Sequence, residues 1–571
     1  MKGISAIAFI IVTVLAANPI AAQQQQGTES SMLPEIDPQD IEIRSQFQAR
    51  FPGLRRQPIL GFDPNPRVYQ IDPNRTPFME TPEQVVANLP VSQLSRPEPP
   101  AYIAFPYSAP QNVFARLGFG SYGSPEAHFW GVKRLNNKSY VGGDFDYSSS
   151  DGHLDNQNSS FRFFDANAEY ATKLSEKSQL SVNGGFKTSF NNMFDLPATT
   201  IPANARKEYN GINLGTEFRH FKNTVTGWKA DANIRYYNID LKNANALSGK
   251  SEERVYNVSV AKRWAGGSTD ETFTIKTGAR GGNYENNIAQ DSWLTAQGGV
   301  VYERQFNYAT DIKVDASVYY AQNNIDDNKI YVGPEVTVKH PLLDILTLKV
   351  TAGAQPYIKS IEQRHTENRF LTLGNTLRHT YRLYGKAEAN VEYADQGEFN
   401  FGFQYENMSD YPIFLRSDNG QTDGSGNPLY EFYEMQYRDA YKVSAYASVV
   451  HQIIPEKLRV NGKVYLRSPK LDGGRRIPFE EKAGVNAGLT VRPFDGITFE
   501  AWADYVGSRR TFQTDEKLDG FILLGGQADV QITERFGAYI KLVNVFNQDY
   551  QVWQGYNERP FQAYGGVTVK L

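Results

Sequence analysis

Long segments in which apolar and polar residues alternate strictly constrain this chain more than any other feature. In residues 381–393 the odd positions are apolar, small or aromatic, and the even positions are polar or charged except at Tyr384. A period of two places the two sets on opposite faces of a β-strand. The pattern recurs along the chain, in residues 399–406, 457–467, 482–492 and 497–505. From about residue 112 onward we therefore expect strands that each have one apolar and one polar face.

The length of these strands separates a membrane barrel from a soluble sandwich or propeller. Most of them run about 9–13 residues, whereas strands of soluble proteins are mostly about 5–6 residues long. Their apolar faces are rich in Ala, Gly and Val, which suits contact with lipid better than a tightly packed core. A Tyr stands at each end of residues 381–393, where a spanning strand meets the two membrane interfaces. The pattern therefore favours a membrane barrel.

Connections between the strands support the same fold. Short turns, such as 395–397, alternate with long loops, such as 361–376 and 410–437. Short turns on one side and long loops on the other are typical of bacterial outer-membrane barrels. We predict one transmembrane antiparallel β-barrel of about 22 strands over residues 111–571, located in the cell outer membrane of a Gram-negative bacterium. A barrel of this size has a lumen that needs a plug or leaves a pore.

The N-terminal part of the chain has a different texture. Lys2, the apolar run 4–16 and the small residues Ala21 and Ala22 predict a signal peptide over residues 1–22, with an uncleaved membrane anchor as the alternative. Residues 23–110 are rich in Pro, Gln and Arg, and predict a short, poorly structured periplasmic or lumenal segment. The chain has no Cys, which excludes thiol catalysis, disulfides and iron–sulfur clusters. The net charge of −4 gives no basic excess for binding nucleic acid.

The last two predicted strands resemble those of a known family. Residues 542–547 (LVNVFN) with Tyr550 resemble the asparagine–apolar–Phe–Asn motif before the last extracellular loop of TonB-dependent receptors. Residues 559–561 (RPF) and the alternating end of the chain resemble their closing strand, although the family usually ends in Phe or Trp. The residues assigned to this C-terminal assembly strand, which the outer-membrane assembly machinery would bind, are Phe561, Gly565, Val567, Val569 and Leu571.

What the resemblance implies is solute uptake through a plugged barrel. The family has a folded plug domain longer than residues 23–110, so the resemblance implies a reduced plug here. Residues 41–44 (IEIR) form a short alternating patch where the family has its TonB-contacting box, with an ordinary strand or extended peptide as the alternative. Whether a TonB system energises this chain stays open at this point.

Charged residues on the polar strand faces are the broadest candidate functional feature. Any lumen that is filled with water or closed by a plug needs a polar lining, and charges there can also select solutes or hold a partner polypeptide. Both signs occur, so the sequence indicates no preferred solute charge. The residues predicted to face the lumen are Arg382, Lys386, Glu388, Glu392, Lys457, Arg459, Lys463, Arg467, Lys482 and Arg492.

Metal sites and catalytic motifs give weaker signals. The seven His residues have no metal-binding spacing, although His365 and His379 could approach each other across a loop. Residues 423–434 resemble a Ca²⁺ loop, with Asp423, Ser425, Asn427 and Glu434 at ligand positions, but Pro428 stands where Gly is required. We expect an unliganded loop there. No nucleophile elbow or P-loop occurs, so we expect no enzyme, no metal and no cofactor.

Two functions lead as expectations, ahead of a third, an enzyme with its site at the barrel rim. The first is an outer-membrane transporter or channel, similar to TonB-dependent receptors, for solute uptake with a reduced plug. The alternative is a barrel scaffold in an outer-membrane protein complex without transport of its own. Expected partners are outer-membrane lipid, lipopolysaccharide, the assembly machinery, and a separate plug or surface lipoprotein. The pairs Arg475-Arg476 and Arg509-Arg510 are candidates for contact with anionic ligands or lipopolysaccharide.

Overall fold

The computed structural model describes residues 112–571 apart from short gaps in the connections. Of residues 418–431 only the backbone is considered. The predicted signal peptide, the segment 23–110, the patch 41–44 and the ligand positions 423–427 lie outside the described residues. The gaps are 155–157, 194–203, 224, 245–247, 268–269, 287–289, 307–308, 324, 326–327, 394–396, 423–427 and 513–514.

Twenty-two antiparallel strands form one sheet, which confirms the predicted fold. The first strands in chain order are β1 (Asn112–Gly120), β2 (Ser124–Asn136), β3 (Ser139–Ser150), β4 (Phe161–Ser175), β5 (Ser178–Asn192), β6 (Arg206–Phe221), β7 (Gly227–Lys242), β8 (Gly249–Ala265), β9 (Glu271–Asn286), β10 (Gln290–Phe306), β11 (Thr310–Asn323) and β12 (Lys329–Leu343). The others are β13 (Leu346–Tyr357), β14 (Thr380–Tyr393), β15 (Gly397–Thr422), β16 (Pro428–Ile454), β17 (Leu458–Leu471), β18 (Ala483–Phe494), β19 (Ile497–Val506), β22 (Phe521–Gln531), β23 (Phe536–Val543) and β24 (Gln562–Lys570). A separate small hairpin consists of β20 (Arg509–Arg510) and β21 (Lys517–Leu518).

The sheet closes on itself because β1 pairs with both β2 and β24. Arg116 stands opposite His128 on one side and Thr568 on the other. Closure gives every spanning strand two neighbours, so backbone groups in lipid are hydrogen-bonded without an exposed edge. We call the end that carries the long connections the loop end. The other end, with the short turns, is the turn end, and it faces the periplasm in bacterial barrels.

The two faces of the strands separate as the alternation predicts. Phe401 and Phe403 on β15 are each about half exposed on the outer surface, as are Val464 on β17 and Leu489 on β18 to slightly smaller extents. Their polar neighbours in sequence lie on the opposite face, toward the lumen. The barrel therefore presents an apolar belt to lipid and a polar wall to its interior.

Two predicted loops contain regular structure instead. Residues 410–437 were expected to form a loop, but β15 and β16 extend through most of them, with 26 and 27 residues. The two strands pair with each other beyond the ends of their neighbours, across an irregularity between Met408 and Tyr411. Residues 361–376 include the helix α1 (Ile361–Glu367). No helix among the described residues is long and apolar enough to cross a membrane.

A buried ion pair lies where the first and last strands meet. The Lys541 ammonium is 2.7 Å from the Glu126 carboxylate, and both side chains are almost fully buried. Tyr539 donates a hydrogen bond to the same carboxylate, and Arg116 lies 3.1 Å from Asp529. These contacts connect β1 and β2 to β22 and β23 through side chains as well as through the backbone.

We expect Lys541→Met to lower the free energy of unfolding by about 3 kcal/mol, because Glu126 is left buried without its cation. The double variant Glu126→Gln, Lys541→Met removes both charges and should recover most of the loss. Urea unfolding in lipid vesicles, followed by tryptophan fluorescence, measures both. Equal stability of the single and double variants would contradict this account of the Glu126–Lys541 ion pair.

Candidate functional site

The connection between β13 and β14, residues 358–379, folds into a compact insertion that includes α1. Ser360 caps the helix, since its hydroxyl accepts from the Gln363 amide at 3.3 Å. The Gln363 side chain accepts in return from the Ser360 amide at 3.0 Å. This capping box satisfies free amides at the start of a helix only two turns long. Most residues of the insertion are buried, including Arg364, His365 and Phe370.

Contacts with the barrel wall place the helix inside the lumen. Arg235 lies in the middle of β7, and its guanidinium is 3.2 Å from the Glu362 carboxylate. Arg280, in the second half of β9, donates to the Gln363 side chain at 3.2 Å. Both cations lie below the strand ends at the loop end. The helix is therefore held within the barrel and does not sit on top of it.

The helix N-terminus is bound by a carboxylate of the wall. Glu253 on β8 accepts a hydrogen bond from the Glu362 amide at 3.2 Å, and Trp293 on β10 donates to the same carboxylate at 3.4 Å. A negative group at this position pairs with the free amides and with the positive end of the helix dipole. Glu253 and Trp293 are both buried. They fix the start of the insertion against β8 and β10, the two neighbours of β9.

Lys207 on β6 binds the other end of the helix. Its ammonium donates to His365 Nδ1 at 2.9 Å, to the Arg369 carbonyl at 3.0 Å and to the Leu371 carbonyl. Lys207 and His365 are fully buried. Burial and the neighbouring Lys207 hold the pKa of His365 well below its usual range. The imidazole is therefore neutral, and its Nδ1 accepts a hydrogen bond from Lys207 Nζ.

On the opposite wall the insertion adds to a strand. The Thr372 amide donates to the Tyr433 carbonyl at 2.8 Å, and the Tyr433 amide donates to the Phe370 carbonyl at 3.0 Å. Leu371 and Tyr433 form a parallel bridge. The inner part of the extended β16 thus receives a short third strand from the lumen. These main-chain bonds anchor the C-terminal half of the insertion.

A third set of contacts reaches the connection between β23 and β24. The Phe370 ring stacks on Tyr556, and the Arg369 guanidinium is 3.7 Å from the Glu558 carboxylate. Trp553 of the same connection packs against Tyr433. The insertion therefore touches β6 to β10, β16 and the β23–β24 connection, which are well separated around the barrel. It therefore extends across the lumen between these parts of the wall.

The lumen-facing predictions fall into two groups in the structure. Eight of the predicted residues lie on strand faces opposite the apolar belt, namely Arg382, Lys386, Glu388, Glu392, Arg459, Lys463, Arg467 and Arg492. Lys457 lies in the β16–β17 turn, and Lys482 is exposed just before β18, so both are outside the strands. Ion pairs join Arg382 to Glu406 at 3.2 Å, Lys386 to Glu388 at 2.6 Å, and Arg467 to Glu481 at 3.3 Å.

The residues of the predicted assembly strand lie on or beside β24. Gly565, Val567 and Val569 belong to the strand, and Val567 is half exposed toward lipid. Phe561 precedes the strand. Leu571 follows it, and its amide donates to the Val113 carbonyl at 2.8 Å. The last residue therefore takes part in closing the barrel.

Other candidate residues are separated or bound within loops. His365 contacts Lys207, whereas His379 contacts Thr295 at 2.8 Å, so the two His residues are not brought together. Arg509 donates to the Val552 and Gln551 carbonyls, at 2.7 and 2.6 Å. Within the described part of the chain, no group of three His, Asp or Glu side chains could hold a metal ion.

Sequence reasoning missed the residues that bind the insertion. The pattern Ser360-x-x-Gln363 was a local signal for a helix start inside a predicted loop. Lys207 and Glu253 gave no such signal, because each lies on a strand remote in sequence from its partner.

Comparison with known proteins supports the fold. No protein-family model and no curated protein sequence matches the chain. Solved structures of TonB-dependent receptors do match. The copper transporter OprC has a TM-score of 0.64 at 11% identity, over 81% of this chain and 80% of that one. The FrpB iron transporter from Neisseria meningitidis (F3-3 variant) has a TM-score of 0.64 at 8% identity, over 81% of each chain. The ferric-catecholate import receptor Fiu from E. coli K12 has a TM-score of 0.61 at 11% identity, over 81% and 82%.

The matched barrels confirm the resemblance drawn from residues 542–571 at the level of the fold. The chain therefore has the barrel fold of these outer-membrane proteins. The matched proteins are named as transporters and receptors. At these identities their ligands do not transfer to this chain.

The buried His365 makes the docking of the insertion dependent on pH. Released into water, its imidazole returns to a pKa of about 6.5, whereas the docked form stays neutral. Acid therefore adds a proton to the released state only, and docking weakens as the pH falls below about 6.5. We expect the ratio of released to docked insertion, followed as conductance in a planar bilayer, to rise about 25-fold between pH 7 and pH 5.

His365→Gln keeps an acceptor for Lys207 but cannot be protonated, so most of the acid response should disappear. His220→Gln is the matched control, since His220 lies at the turn end and contacts Ser178 at 2.8 Å. An unchanged acid response in His365→Gln would show that another group controls the insertion.

Proposed function

We propose that this chain is an outer-membrane channel for solute uptake whose lumen is closed by its own insertion, residues 358–379. Residues 23–110 would be the reduced plug that the resemblance implies, and we propose that the insertion and not this segment seals the lumen. The observation that carries the proposal is the set of contacts from the insertion to β6 through β10, to β16 and to the β23–β24 connection. A barrier attached on several sides suits a gate for solutes too large for an open pore.

The chemistry of these contacts suits a barrier that opens. Lys207, Glu253 and Glu362 bind through polar groups, which regain hydration when the insertion leaves the wall. A buried ion pair contributes little net stability compared with an apolar contact of the same size. The apolar residues Phe370, Leu371, Leu373 and Leu377 are concentrated in the C-terminal half. We infer that the helical half releases first and that the half bound to β16 acts as the hinge.

A scaffold role is the second candidate, and the β15–β16 hairpin favours it. Its strands pair with each other beyond Tyr381 on one side and beyond Leu471 on the other. A hairpin that projects from the loop end offers a surface to a partner protein. It requires no flow of solute through the lumen.

Conductance of the purified full chain in a planar bilayer tests the channel. The informative variant replaces residues 361–376 by a short Gly-Ser linker and keeps Ser360 and Leu377. We expect the full chain to be closed and the variant to conduct steadily, because the barrier is gone while β13 and β14 remain paired.

Removal of residues 23–110 is the matched comparison. Conductance only after this removal would make that segment the barrier and would contradict the role of the insertion. Steady conductance of the full chain would exclude a gate. No conductance in either variant would overturn the channel in favour of the scaffold.

A further inference from the structure

The pairing of β1 with β24, which we call the seam, joins two strands that no connection of the chain links directly. Every other pair of neighbouring strands in the barrel sheet is joined by a connection, which helps to set its register. At the seam, alternation excludes a shift by one residue, because the apolar side chains would then face the lumen. A shift by two residues keeps both faces in place, although it changes the shear of the barrel and with it the width of the lumen. Contacts of side chains across the seam can distinguish these registers.

A tyrosine lies across the seam on the lumen side. Tyr539 of β23 stands opposite Gly566 of β24, and Gly566 stands opposite Gly118 of β1. Gly118 in turn stands opposite Glu126 of β2. The Tyr539 hydroxyl donates a hydrogen bond to the Glu126 carboxylate, so the side chain spans the two strands between them. We call the side chain of Tyr539, the two glycines and Glu126 the closure strap.

The two glycines of the closure strap make room for the ring. A Cβ atom on Gly118 would overlap the Tyr539 hydroxyl. A Cβ atom on Gly566 would lie 2.6 Å from the Tyr539 ring and would overlap the Leu117 carbonyl. The ring is buried, and the Arg116 guanidinium lies 4.5 Å from its centroid. An aromatic side chain packed over glycine on a neighbouring strand is a device that fixes register.

A shift of the seam by two residues in one direction blocks the closure strap. Arg116 would then stand opposite Gly566, in the place that Gly118 now occupies. The Tyr539 ring would meet the Arg116 side chain on its path toward β2. The hydroxyl could therefore not reach a partner on that strand.

The opposite shift leaves room for the ring but separates it from Glu126. Gly120 would come beneath the ring, and the Tyr539 hydroxyl would arrive beside Ser124, which stands opposite Gly120. Lys541, now 2.7 Å from the Glu126 carboxylate, would also move away from it by two residues along the strand. A buried carboxylate that loses both a hydrogen-bond donor and its cation is strongly unfavourable. The contacts of Glu126 therefore disfavour this second shift.

We propose that the closure strap selects the register in which the barrel closes. Its residues come from both ends of the barrel sequence, so it forms only when the first and last strands meet. It then stabilises the native register over the two registers that preserve the apolar and polar faces. This role does not depend on what the lumen transports.

The same arrangement occurs away from the seam and provides a control. Tyr446 of β16 lies over Gly402 of β15 and donates a hydrogen bond to the Glu388 carboxylate of β14. The chain connects these three strands in order, so their register does not depend on this tyrosine alone.

Engineered disulfides can report the register, because the chain has no Cys of its own. Leu117 and Val567 stand directly opposite each other and are about half exposed on the lipid face, so Leu117→Cys with Val567→Cys reports the native register. Leu117→Cys with Gly565→Cys, or with Val569→Cys, reports the two shifted registers. Diagonal neighbours lie about 7–8 Å apart in the native register and form a disulfide poorly.

Each cysteine pair is placed in the full chain, which is refolded into lipid vesicles and oxidised with copper phenanthroline. Non-reducing gels then measure the ratio of shifted to native disulfides. Tyr539→Phe keeps the ring but loses the hydrogen bond to a carboxylate, so we expect this ratio to rise about tenfold. Tyr446→Phe removes the equivalent bond away from the seam and should leave the ratio unchanged.

Tyr539→Ala also removes the ring and should raise the ratio at least as far as Tyr539→Phe. Only chains with the gel mobility of a closed barrel before heating are scored, so unfolded protein does not enter the ratio. A ratio equal to that of the parent chain in both Tyr539 variants would overturn the role of the closure strap. An equal rise in Tyr446→Phe would also overturn it, since the effect would then be a general loosening of the wall.

Discussion

The structure depends on one constraint, which is that no backbone polar group can remain unpaired in lipid. The pairing of β1 with β24 meets it by removing both sheet edges. Closure at twenty-two strands then encloses a lumen too wide for wall side chains alone to fill. The alternation of apolar and polar residues along each strand follows as well. When one face of a strand is apolar and contacts lipid, its other face must line the interior. The polar interior is thus a consequence of closure.

A wide polar lumen limits the chemistry of any barrier inside it, because the polar groups of the wall need partners. An apolar block would leave the wall charges buried without partners, at high cost. The insertion instead supplies partners, with Glu362 for Arg235, Gln363 for Arg280 and the helix amides for Glu253. Such matching gives orientation more than net stability, because desolvation offsets most of the attraction. Polar contacts therefore make this barrier specific and still separable from the wall.

The sequence predicted the barrel well because alternation is a local property that each strand carries by itself. It did not predict the insertion, because His365 contacts Lys207 only after β6 and the insertion have both folded. The β15–β16 hairpin was missed for a related reason. Pro412 and Gly420 are typical of loops, and the paired strands around them become visible only when each segment is aligned with the other. Contacts between remote residues thus set the limit of reasoning from the sequence.

Arg369 joins two anchor points of the docked insertion. Its carbonyl accepts from Lys207 in the lumen, and its guanidinium faces Glu558 of the β23–β24 connection. Undocking would separate both contacts at once, so the contact at the wall and the contact at the β23–β24 connection share one equilibrium. Thermodynamic linkage then requires the coupling to be reciprocal. Protonation of His365 in the released state therefore weakens the Arg369–Glu558 contact as well as the contacts of Lys207.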